Sequence, residues 1–227
     1  MAQKSREPQY QAILTKYDEK GLESLGLMTS QAWDDDPKRL AFTLARYKFV
    51  AKMLIGRKQV LEVGCADAFG TRIVRQEIGK DSELTAVDFD PVFVEDVNRR
   101  MRPNWRFNCF THDLLAGPVP GCYDAAYALD VLEHIEPEHE ASFLNNFCSS
   151  LAPRSAAIIG MPSLESQAYA SEISRAGHVN CKSMPQLRET MSQHFRHVFM
   201  FSMNDEVVHT GYHRMAHYLM ALCCERK

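Results

Sequence analysis

The stretch LDVLEHIEPEH at 129–139 sets Asp130, Glu133 and His134 in a D-x-x-E-H pattern. Two carboxylates beside an imidazole can do two kinds of chemistry. The imidazole titrates near neutral pH and can take a proton from a weak nucleophile. Carboxylate and imidazole together can also hold a divalent cation. His178, in AGHVN, is the natural distant partner, so a metal, if used, would take Asp130, Glu133, His134 and His178. Ionic clusters of this kind are often structural, and the sequence favours the reading without metal. His134 and His178 are then the first candidates for a general base, with His209 and His213 next. Three more acids, Glu62, Asp88 and Asp113, each lie at or near the end of an apolar run. A carboxylate there accepts hydrogen bonds and donates none, which suits hydroxyls and amines.

These residues need a scaffold that brings them to one edge. VLEVGCADAFG (60–70) reads as a strand, a turn of small residues and the start of a helix. Strands are predicted at 59–63, 83–89, 105–110, 123–129 and 155–161, with helices at 37–54, 71–78, 91–101 and 137–151. Regular alternation of this kind implies a mostly parallel sheet covered on both faces. Two last strands, 197–203 and 215–225, have only a short polar link between them and should pair antiparallel. The expected fold is α/β: a Rossmann-like, doubly wound sheet of about seven strands with a C-terminal antiparallel hairpin. Its ligand edge is the carboxyl end of the strands. Residues 1–36 read as an N-terminal lid segment with Tyr10, Tyr17 and Trp33, and 37–227 as the domain proper. Within it, 162–180 reads as a polar insert at the rim, where Tyr169 and Arg175 could touch a substrate, as could His209 in the hairpin link.

Four stretches in order carry a resemblance. VLEVGCADAFG, AVDFD (86–90), THDLL (111–115) and YALDVLEHI (127–135) resemble the four motifs of the class I S-adenosylmethionine (SAM) methyltransferases, and the terminal hairpin extends the likeness. The resemblance implies that Glu62, Gly64, Cys65 and Asp67 surround the methionine part of the cofactor. It implies ribose recognition by Asp88, an adenine contact from Phe89, and adenine recognition by Asp113 and Leu114. Asp130 would lie nearest the methyl donor. The family usually has glycine where this chain has Ala66 and Ala68. Many metal-free members with a D-x-L-E-H stretch use its Glu and His to order a loop.

SAM carries no phosphate, so close backbone approach and carboxylates matter more than a phosphate cradle. The resemblance implies methyl transfer from SAM, leaving S-adenosylhomocysteine (SAH). The expected acceptor is an oxygen, or a nitrogen, of a small polar molecule such as a saccharide, a glycan precursor or a natural product. The alternatives are a metal-assisted methyltransferase of RNA 3′ ends and a non-catalytic SAM-binding subunit.

The chain has 227 residues, 45% hydrophobic and 24% charged, with a net charge of -3. That size fits one domain with a short appendage. The charge gives no basic surplus for nucleic acid. No apolar run is long enough for a membrane span, and the polar start MAQKSREPQYQ lacks a signal-peptide core. The seven scattered cysteines, without a CxxC, suggest reduced thiols and a cytoplasmic setting.

Overall fold

The computed structural model describes residues 4–227; positions 1–3 of the predicted lid segment lie outside the described residues. The N-terminal part holds α1 (Gln11–Lys20), α2 (Leu27–Asp35) and α3 (Lys38–Met53). Then come β1 (Gln59–Val63), α4 (Thr71–Glu77), β2 (Glu83–Asp88), α5 (Pro91–Arg100), β3 (Asn108–Thr111) and β4 (Tyr123–Leu129). The second half has α6 (Glu140–Ser149), β5 (Leu151–Pro162), α7 (Glu172–Gly177), α8 (Met184–His194), β6 (Phe195–Asn204), β7 (Val207–His209) and β8 (Tyr218–Arg226).

The strands form one sheet in the order β3-β2-β1-β4-β5-β8-β6-β7. Strands β1 to β5 pair in parallel, and β8, β6 and β7 pair antiparallel. The apolar runs of β1 and β4 follow from burial on both faces. Leu61, Val63, Ala126 and Ala128 pack in one core, while Val60, Ala125 and Tyr127 pack in the other with Val50, Leu54 and Val74. Alternation of side chains along a strand requires this division. The strand order reverses between β1 and β4, which run parallel, so the crevice at their carboxyl ends is the switch point where such sheets bind ligands.

Three expectations need correction. The sheet has eight strands, because β7 adds a short edge on β6 within what read as a polar link. Strand β3 begins at Asn108, not at Trp105. Arg106 adopts φ 60°, outside the extended region, and Trp105 is buried in a stacked pair with Phe107. Helix α8 was not anticipated. Its buried face is carried by Leu187 and Met191, too few apolar positions to show a period, although Pro185 in its first turn is a start signal. Among the described residues no helix is long and apolar enough to cross a membrane.

Candidate active site at the carboxyl ends of β1, β2 and β4

The turn after β1 is held against β2: the amides of Gly64 and Cys65 both donate to Val87 O, at 2.8 and 3.1 Å. Gly64 has φ 75°, and a Cβ there would lie 2.3 Å from Val131 Cγ2. Only glycine permits that approach. Ala66 and Ala68 also sit at positive φ, 45° and 55°. The alanines therefore keep the turn that glycine would make, at a conformational cost. The Cys65 thiol is buried, 3.8 Å from Cys109 Sγ, so its side chain is not an open contact. Asp67 is taken up by the N-terminal segment. Thr29 donates to it through its amide (2.7 Å) and its hydroxyl (3.1 Å), which pins the start of α2 over the turn.

Glu62 is buried under this turn. Neither carboxylate oxygen closes a hydrogen bond, and Thr71 Oγ1 and Tyr127 Oη are also unpartnered. The hydroxyls of Thr71, Tyr127 and Tyr47 nevertheless face the group and pull its pKa down. We take them to stand just beyond hydrogen-bond contact. Burial outweighs them and lifts the pKa from 4.5 to about 7. An orphaned, buried carboxylate behind a glycine turn fits the ammonium of a bound amino acid moiety. It also has a consequence for stability. The folded state holds this proton more tightly than the unfolded one, so the contribution is full below pH 4.5 and is lost as pH rises through about 7. Wild type should lose about 3 kcal/mol from this group across that window. Glu62→Gln should flatten the profile in urea unfolding, and an unchanged slope would contradict the assignment.

At the end of β2, Asp88 is buried and holds two amides, Ala66 N on Oδ2 (2.8 Å) and Asp90 N on Oδ1 (3.0 Å). Each oxygen keeps a second lone pair for a hydroxyl. Phe89 beside it is 74% exposed, a largely uncovered aromatic ring. Asp113 is exposed and accepts from Leu115 N at 2.8 Å. Leu114 is in the core, where its carbonyl accepts from Asn146 Nδ2 at 2.6 Å. Its side chain is core packing and not an open contact.

Asp130 follows β4 with φ 56°, its amide donating to Gly160 O at 3.0 Å. Arg46 Nη1 from α3 reaches both of its oxygens, at 3.0 and 2.9 Å. The Arg46 guanidinium lies 3.7 Å from the Tyr218 ring centroid and 5.1 Å from that of Phe42, with its Nε buried and unpartnered. Sequence reading missed Arg46. The available signal was a cation inside the row Phe42, Arg46, Phe49, where an apolar residue is expected from helical spacing.

The structure brings Glu133, His134 and His178 together, with one ligand-type atom of each within 4.8 Å of the others. Asp130, engaged by Arg46, is not in this group. Gly177 O lies 2.8 Å from His134 Nδ1, and a carbonyl only accepts, so Nδ1 carries a proton and, in the neutral ring, Nε2 is bare. Gln167 Oε1 likewise lies 2.9 Å from His178 Nδ1, leaving that Nε2 bare. The rings are 5.1 Å apart. Burial and the neighbouring His134 hold the His178 pKa below its usual value. Glu133 is fully buried, both oxygens lack a partner, and burial followed by the Asp130 charge raises its pKa well above the carboxylate range.

Of the rim residues, Tyr169 is 90% exposed and Arg175 is also exposed, so both are free to meet a ligand. His209 is not. Its Nδ1 accepts from Gly211 N (3.0 Å), and its Nε2 lies 2.8 Å from Asn204 Oδ1, so the hairpin occupies both nitrogens.

Residues 60–154 match the family model described as a methyltransferase domain. This segment is similar to methyltransferase domains. No curated protein matches the sequence. Among solved structures, the methyltransferase domain of bacterial CtHen1-C is similar at TM-score 0.67 and 16% identity, covering 81% of this chain and 98% of that one. The N-methyltransferase NodS from Bradyrhizobium japonicum WM9, in complex with SAH, matches at TM-score 0.60 and 16% identity, over 96% and 99%. The DhpI-SAM-HEP complex matches at 0.60 and 15%, over 97% and 99%. The DhpI structure holds SAM, and the NodS structure its product SAH. The orphaned Glu62 and the glycine cradle at Gly64 fit the amino acid end of that molecule.

Proposed function

We propose that this methyltransferase acts on a hydroxyl oxygen of a small polar acceptor seated between Asp130 and the 162–180 rim. The bare Nε2 atoms of His134 and His178, side by side at the edge of the switch point, carry this reading. SAM supplies an electrophilic methyl group on a positively charged sulfur. Glu62 and the turn at Gly64 hold its amino acid end, Asp88 accepts from its ribose hydroxyls, and Phe89 and Asp113 meet its adenine. Asp130, oriented by Arg46, faces the methyl. An alcohol is a weak nucleophile while protonated, and His178 or His134 takes its proton at Nε2 as the oxygen is methylated. Residues up to 36 act as a lid, tied to the turn through Thr29 and Asp67.

A second reading is favoured by Glu133. A buried carboxylate with two orphaned oxygens, beside two bare imidazole nitrogens, is a donor set for a first-row divalent cation. Glu133, His134 and His178 would hold the ion, which would polarise the acceptor oxygen. Dialysis against EDTA separates the two. With a histidine base, turnover of methyl-labelled SAM survives chelation and the label appears as an O-methyl group. With an ion, turnover stops and Mn²⁺ restores it. An N-methyl product from an amine that needs no base would overturn both.

A further inference from the structure

A cleft of about 520 Å³ lies on the face formed by α4, the end of α5 and the turn at 104–106, with residues 23–25 along its edge and Ala68 and Phe69 of the turn after β1 at one end. It continues into hollows that share Arg75, Lys80 and Arg106 on one side and Arg100 on the other. Its wall is cationic in a chain whose net charge is -3.

The charges in this wall are not internally compensated. The two acids that line it are already engaged: Glu77 by Lys48 and Lys52, both at 2.6 Å, and Glu23 by Arg102 at 3.4 Å. Arg100 is paired with Asp96. Among the described residues, Arg72, Arg75, Lys80 and Arg106 have no acidic partner. Arg72 lies over the Trp105 ring, its guanidinium carbon 4.7 Å from the centroid. Arg75 donates only to carbonyls, those of Arg106 (2.7 Å), Gly79 (2.8 Å) and Lys80 (3.4 Å). Arg75 Nη2 and Arg106 Nη2 both reach Lys80 O at 3.4 Å, which brings two guanidinium groups to one carbonyl, and burial followed by the Arg106 charge lowers the Arg75 pKa. Arg106 itself is held at positive φ, an unfavourable conformation for its residue type.

We propose that this cleft is a binding site for a phosphate-type oxyanion, held by Arg72, Arg106 and Lys80 beside the Arg75 backbone clamp. Guanidinium forks match the oxygens of phosphate, and an anion there relieves the mutual repulsion of the cations. Trp105 is buried, with arginines over its ring and Phe107 stacked on it. It leaves no open ring face for a base, so the phosphate itself is the recognised group. Free phosphate and the backbone of a short RNA present the same chemistry.

The test is isothermal titration of the full chain with inorganic phosphate, and separately with an eight-nucleotide RNA, at ionic strength matched with chloride. Saturable phosphate binding is expected, weakened about tenfold or more in Arg72→Gln and in the exposed charge reversal Lys80→Glu. SAH affinity should be unchanged in both, which also shows that they fold. Tighter binding of RNA than of phosphate, lost in the same variants, assigns the site to a nucleic acid backbone. Equal or weaker RNA binding assigns it to a small phosphorylated ligand. Binding no better than chloride, or binding unaffected by both substitutions, would overturn the proposal.

Discussion

Replacing His178 or His134 with alanine should lower turnover on the order of 10²–10⁴-fold for whichever residue takes the proton. Both present a bare Nε2 at the same edge, fixed by Nδ1 contacts to Gln167 and Gly177. His178 is the stronger candidate. Its depressed pKa keeps it unprotonated, and so able to accept a proton, at lower pH than an ordinary imidazole. Neither residue belongs to the turn or to Asp88, so SAH affinity should stay within about twofold of wild type. Near-normal turnover in both variants would rule out these residues as base and as cation ligands together.

Asp88→Ala should weaken SAH binding by about 10- to 100-fold, the range for losing a hydrogen bond to a charged acceptor. The carboxylate does two jobs at once. It fixes the turn through Ala66 N and the start of α5 through Asp90 N, and each oxygen keeps a lone pair for a further donor. Removing it also frees the amide of a residue already at positive φ, so the urea midpoint should fall. Titration of folded protein separates the two effects. An affinity within about twofold of wild type would show that Asp88 serves only the turn.

Much of this was legible in the sequence because parallel strands and their turns are local patterns. The limits of β1 and β4 coincide with the apolar runs at 59–63 and 123–129, and the acids at 62, 88 and 130 fall at or next to the ends of β1, β2 and β4. What depends on distant contacts was not legible. Nothing in the D-x-x-E-H pattern says that Arg46, 84 positions earlier, engages Asp130 and removes it from the Glu133, His134 and His178 group. Asp67 read as a cofactor contact because its neighbours belong to the turn. Its partner Thr29 lies in a segment with no pattern that places it. The cationic cleft was hidden for a different reason. Net charge averages over the surface, and Lys48, Lys52 and Arg102 neutralise the acids that line it.

The most direct test of the central claim is isothermal titration of the wild-type chain with SAH. One site per chain is expected, competed by SAM and weakened in Asp88→Ala. Folded protein that binds neither SAH nor SAM would contradict the assignment of Glu62, Gly64 and Asp88 to cofactor recognition, and with it the proposed methyl transfer.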